Sequence, residues 1–130
     1  MTGIYALIRP DGQLEFHDGV PDQMLKDTDP QHSAPAAFTI QHAEWCSPRG
    51  LHGHVSGISC LASYPPNHIA GPLVAALGGP DQYIFGNLTI CGSQIASGND
   101  EPILCGLTDA QERLIHDVHT AVSQEIAHST

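Results

Sequence analysis

Thr108-Asp109-Ala110-Gln111 has the form of a capping box, in which the Thr108 hydroxyl accepts the Gln111 amide N–H and the Gln111 side chain reaches back to the amide of Thr108. Beyond it, Leu114, Ile115, Val118, Val122 and Ile126 recur at helical spacing. The pattern predicts a helix to about Ala127 whose apolar residues form one stripe. A one-sided helix is stable only when something flat and apolar covers that stripe.

Period-two segments upstream supply the sheet. Ile4-Tyr5-Ala6-Leu7-Ile8-Arg9 and Gln13-Leu14-Glu15-Phe16-His17 flank Pro10-Asp11-Gly12, where the fixed φ of proline and the permissive backbone of glycine suit a tight turn. They read as a hairpin with Leu14 and Phe16 facing the core. Residues 37–42 alternate again, with Phe38 and Ile40 on one face and Thr39 and Gln41 on the other. A further strand is expected over 54–61, weakened or bulged at Gly57. The segment 83–91 is the strongest strand, and Phe85 and Ile90 suggest burial on both faces and a central place.

Two shorter helices complete the pattern. One covers 21–26, with Pro21 in the first turn; the other starts from Asn67 as N-cap and stops at Gly78-Gly79, with Ile69, Leu73, Val74 and Leu77 on one side. Residues 28–35 and 92–102 read as loops. The expected fold is α+β: one domain over 1–130, with a small mixed or antiparallel sheet of about five strands packed by two main helices. A chain of 130 residues is long enough for one real core.

Charge narrows the partners. Four bases, Arg9, Lys26, Arg49 and Arg113, stand against fourteen carboxylates, for a formal net charge of −10. A phosphate backbone needs clustered Lys or Arg, and these four are scattered, so nucleic acid is not expected as a partner. A DNA-mimicking inhibitor would need a denser, ordered carboxylate array. No stretch is long enough to span a bilayer, the most apolar being 69–77, and the first residues carry no export pattern. A cytoplasmic setting follows as the expectation, with Cys46, Cys60, Cys91 and Cys105 as free thiols.

Chemistry-bearing residues concentrate between His42 and Cys60. His42, Cys46, His52, His54 and Cys60 bring three imidazoles and two thiols into a short span, and His52 and His54 would share one strand face if the strand began early enough. Zinc takes such ligands tetrahedrally at about 2.0 to 2.3 Å. Against a zinc site stand the missing Cys-x-x-Cys and His-x-x-x-His knuckles; the plain alternative is solvated loop histidines with Cys60 as a small core residue. Glu112, His116 and His119 lie on neighbouring turns of the last helix, but opposite its apolar stripe, where polar side chains belong. Cys46 with a histidine could serve as a nucleophile, though no nucleophile elbow accompanies it. The glycines form neither a phosphate loop nor a dinucleotide fingerprint.

A longer pattern runs from Tyr64-Pro65-Pro66-Asn67-His68-Ile69-Ala70, through Ile84-Phe85-Gly86 and Ile90-Cys91-Gly92, to Leu107-Thr108-Asp109, with Arg9-Pro10-Asp11-Gly12 near the start. It resembles a family of small proteins of unknown function encoded by bacteriophages, plasmids and their bacterial hosts. The resemblance implies a compact α+β domain and an accessory role on a mobile element, with no active-site residues to carry over. The leading expectation is therefore a non-enzymatic accessory protein that contacts a host protein or a second copy of itself, as a homodimer, without cofactor or membrane. The alternatives are a zinc-binding protein using His42, Cys46, His52, His54 and Cys60, or a small cysteine-dependent enzyme.

Overall fold

The computed structural model describes residues 3–31, 34–43, 49–58, 64–95 and 102–128. The hairpin forms as its alternation demands: β1 (Gly3–Ile8) pairs antiparallel with β2 (Leu14–Val20). Gly12 takes the left-handed conformation, φ 89°, that the turn between them requires. Helix α1 (Asp22–Thr28) follows, with Pro21 just ahead of it and not, as expected, inside its first turn. Strand β3 (Pro35–Gln41) then pairs with β4 (Arg49–Ser56), and Phe38 and Ile40 point to the same face, as their spacing implies.

Two strands differ in position from expectation, each for a local reason. β4 begins five residues earlier than the 54–61 reading and ends before Gly57, whose amide turns instead to the carbonyl of Ala34. Its glycines are places of close approach: a Cβ on Gly53 would sit 2.4 Å from the Phe38 ring, so intrinsic strand preference is the wrong guide there. The strand placed over 83–91 is β5 (Leu88–Ile95). Gly86, at φ 80°, breaks the run, and residues 84–86 bridge to 65–67 through Asn67 N–H to Ile84 O and Gly86 N–H to Pro65 O. β5 is central and buried on both faces, whereas Phe85, expected in the core, is exposed.

The sheet is six-stranded and antiparallel, ordered β2-β1-β5-β4-β3. β6 (Pro102–Cys105), which the sequence reading left within or beside a loop, pairs with the second half of β5. β4 covers one edge of β5, while β1 at Leu88–Ile90 and β6 at Gly92–Ile95 share the other. Gly3 and Gly106 meet where these two strands abut: a Cβ on Gly3 would lie 2.4 Å from the Gly106 Cα, and Leu107 N–H bonds Ile4 O at 2.9 Å.

The two faces differ in character. On one, Ala6, Ile8, Leu51, Leu88 and Ile90 meet α2 (Ala70–Ala76), through Leu73 and Val74, and α3 (Asp109–His128), through Ile115 and Val118. The capping box forms as read, with Gln111 N–H to Thr108 Oγ1 at 3.1 Å and Thr108 N–H to Gln111 Oε1 at 3.0 Å. Gln111 also donates to Gly50 O, fixing α3 to β4. The second face carries Tyr5, Leu7 and Cys91 beneath Met24 and Leu25 of α1. Thr28 closes that helix against Thr89, their hydroxyls 2.6 Å apart.

Asn67 joins α2 to the sheet. It is not the adjacent N-cap; it lies three residues ahead of Ala70, whose N–H it accepts at 3.1 Å, while its amide donates to Ile8 O at 3.1 Å and Gly86 O at 2.9 Å. The side chain is buried, so nothing replaces these bonds when it is removed. Asn67→Ala is expected to lower stability by about 3 kcal/mol, several net hydrogen bonds plus orphaned buried carbonyls, in urea unfolding followed by circular dichroism.

Candidate functional site

Two places concentrate chemistry. The first is the polar stretch of the α1-side face. Because β4 starts at Arg49, His52 and His54 are two residues apart on one strand and project to the same side, opposite Leu51 and Val55. Register sets His52 beside Cys91 and His54 beside Thr89 on β5, and beside Thr39 and Ala37 on β3. Both rings are buried, at 9% and 4% exposure, and neither Nδ1 finds a hydrogen-bond partner among the described residues. Ser93 Oγ, on the same face, is unpartnered as well.

Burial governs the protonation of this face. It pushes His54 down to about 4, with the neighbouring His52 adding a smaller push, and it lowers His52 in the same sense with His42 contributing. Both imidazoles are therefore neutral at pH 7, the form that can ligate a metal. Cys91 is pushed up to about 12 by burial and by nearby Cys105, which keeps it a thiol and a poor nucleophile. Cys105 lies on the other face, its Sγ 3.2 Å from Arg49 Nη1.

Of the residues singled out from the sequence, His52 and His54 are thus brought together, and His42 is exposed beyond the end of β3. Cys46 and Cys60 lie outside the described residues. Among the described residues no group of three His, Cys, Asp or Glu side chains is arranged to hold a metal ion. On α3, His116 is exposed beside Asp117, and His119 is half-buried with Nε2 2.7 Å from Gly12 O, where it pins the β1–β2 turn. That is a structural role for a histidine the spacing had grouped with Glu112.

The second place is a groove of about 550 Å³ between the start of α2 and residues 81–85. Pro66, Pro72, Ile84 and Phe85 give it an apolar lining, and Asn67 fixes one end. Alternation along the chain explains the lining: Ile84 drops into the core, while Tyr83 on one side of it is 97% exposed and Phe85 on the other 36%. The groove is tight where a Cβ on Gly71 would meet Gln82 O at 2.7 Å, so only glycine lets the two walls approach. Gln82 also lines the groove, but its side-chain Nε2 is closed off from solvent, without a hydrogen-bond partner among the described residues. Reading residues 83–91 as one buried strand hid this site; Gly86 directly after Phe85 was the signal that the run breaks.

No protein-family model matches the chain, and no curated protein or solved structure does. No helix among the described residues is long and apolar enough to cross a membrane.

The buried imidazoles make a pH prediction. An unfolded histidine titrates near 6.5, so below that pH the unfolded chain binds a proton that folded His54 refuses until about pH 4. Stability of the metal-free protein should fall as pH drops through this window, by up to about 3 kcal/mol from His54, with His52 acting in the same direction. Urea titrations at successive pH values would measure it; His54→Leu, which cannot charge, should flatten the slope.

Proposed function

We propose that this is a small, non-enzymatic accessory protein, of the kind carried by phages and plasmids, that acts by contact with another protein through the groove beside α2. The observation that carries the reading is Tyr83: a large aromatic ring left almost wholly in water at the rim of an apolar groove. Scattered exposed apolar residues are ordinary, but an aromatic pair flanking a concave apolar surface is the composition of a binding hot spot. The acidic balance of the chain speaks against nucleic acid as the partner. The mobile-element setting rests on the resemblance carried by Arg9–Gly12, Tyr64–Ala70, Ile84–Gly86, Ile90–Gly92 and Leu107–Asp109.

Tyr83 bears no structural load, so Tyr83→Ala should change stability by no more than about 0.5 kcal/mol. Affinity capture from host lysate, run in parallel with the wild-type protein and this variant, should show one or more proteins retained by the former and lost by the latter. Identical retention by both, or none by either at high bait concentration, would remove the groove as the contact site.

A second reading, zinc binding, is favoured by the Nδ1 atoms of His52 and His54, which lie on one buried face without a partner among the described residues. These two would serve as ligands, completed from His42, Cys46 and Cys60; zinc there would act as a structural staple or as a Lewis acid. Metal analysis of reduced, untagged protein purified without chelator decides it. Close to one equivalent is expected on this reading, and less than about a tenth of an equivalent would eliminate it.

A further inference from the structure

We propose that the occupant of the groove is an extended, basic, proline-bearing segment of the partner polypeptide. This rests on the groove being the contact site, and it specifies what the groove recognises.

Shape is the first argument. A small ligand is normally enclosed over most of its surface. This groove is open along the side where Tyr83 and Phe85 stand, at 97% and 36% exposure, so a compact molecule would keep much of its surface in water. A chain lying across the opening would cover both rings.

The second argument is the set of flat apolar rings that line the groove. Pro66, Pro72, Tyr83 and Phe85 offer the kind of surface on which proline rings pack, as in grooves that read polyproline helices. A polyproline-type segment makes no internal hydrogen bonds, so its extended backbone can follow the groove while its prolines stack on these rings.

The third argument is charge. Among the described residues no Lys or Arg lines the groove, whereas Asp81 does, together with His68. With a formal net charge of −10 on the whole chain, a basic segment is steered toward this surface, and a second acidic copy of the chain is repelled from it.

The test uses the full chain and fluorescently labelled synthetic peptides, read by polarisation. The parent peptide carries two prolines separated by two residues and flanked by arginines; its controls replace the prolines by alanine or the arginines by glutamate. The parent should bind, and each replacement should weaken it by roughly tenfold or more. Tyr83→Ala should do the same from the protein side, and Asp81→Asn should reduce the salt dependence. Absence of binding up to about 1 mM, equal binding of the glutamate peptide, or binding indifferent to Tyr83→Ala would overturn the proposal. So would a dimer, seen by sedimentation, that dissociates on Tyr83→Ala, since the occupant would then be a second copy. If lysate capture depends on Tyr83 while the peptides fail, the class of occupant is wrong and the contact site stands. If neither depends on Tyr83, both fall.

Discussion

The buried amide of Asn67 is the interaction on which the groove-bearing side of the molecule depends. It reaches the carbonyl at the end of β1, the carbonyl of Gly86 and the first amide of α2 at once. α2 is only seven residues long and its N-cap residue, Ile69, offers no side-chain cap, so the helix would be marginal without tertiary anchoring. The segment 81–87 has no strand of its own to hold it either; it is tied by the bridge of Pro66 to Phe85 and, at Asn87, by a bond to Asp27 O. Both walls of the groove are therefore attached to the sheet through polar bonds in its interior. A rigid frame of that sort lets aromatic rings stay exposed without collapsing onto the core.

Across the sheet, different forces dominate. The α2/α3 face is a conventional apolar interior, but the α1 face mixes Leu7 and Met24 with His52, His54, Thr89, Cys91 and Ser93. Some of that polarity is satisfied, as in the Thr28–Thr89 pair and around Asp29, which accepts from Ser56, Tyr64 and the amide of Ala34. The Nδ1 atoms of the two histidines and the hydroxyl of Ser93 are not satisfied among the described residues. Unmade hydrogen bonds of buried groups oppose folding, commonly by about 1 to 3 kcal/mol each, so this face is the natural place for a stabilising ligand or ordered solvent.

How far the sequence could be read depended on whether local chemistry or tertiary contact decided each element. The capping box, the Pro10-Asp11-Gly12 hairpin turn and the Phe38/Ile40 alternation were legible because hydroxyls, glycine φ and side-chain period act within a few residues. The Gly78-Gly79 stop was legible too, with Gly78 at φ 101° and its amide on Ala75 O. β4 was misplaced because Gly50 and Gly53 are strand residues only by virtue of what packs on them. β6 is four residues long and opens with a proline, below the length at which periodicity speaks. For the site, the shared face of His52 and His54 followed from their spacing once the strand was in register, whereas the groove arises from a crossing of 65–67 with 84–86 that no single window contains.

The meeting of Gly3 and Gly106 has a bearing on how the chain comes together in time. β1 can zip to β2 almost at once, but its opposite edge stays bare until residues 88–90 arrive, and the amide that caps Ile4 belongs to Leu107. During synthesis β1 thus waits long to be enclosed, because residues 88–107 must leave the ribosome before the middle of the sheet can close. Until then, an early hairpin with an open apolar flank is the species a chaperone would meet.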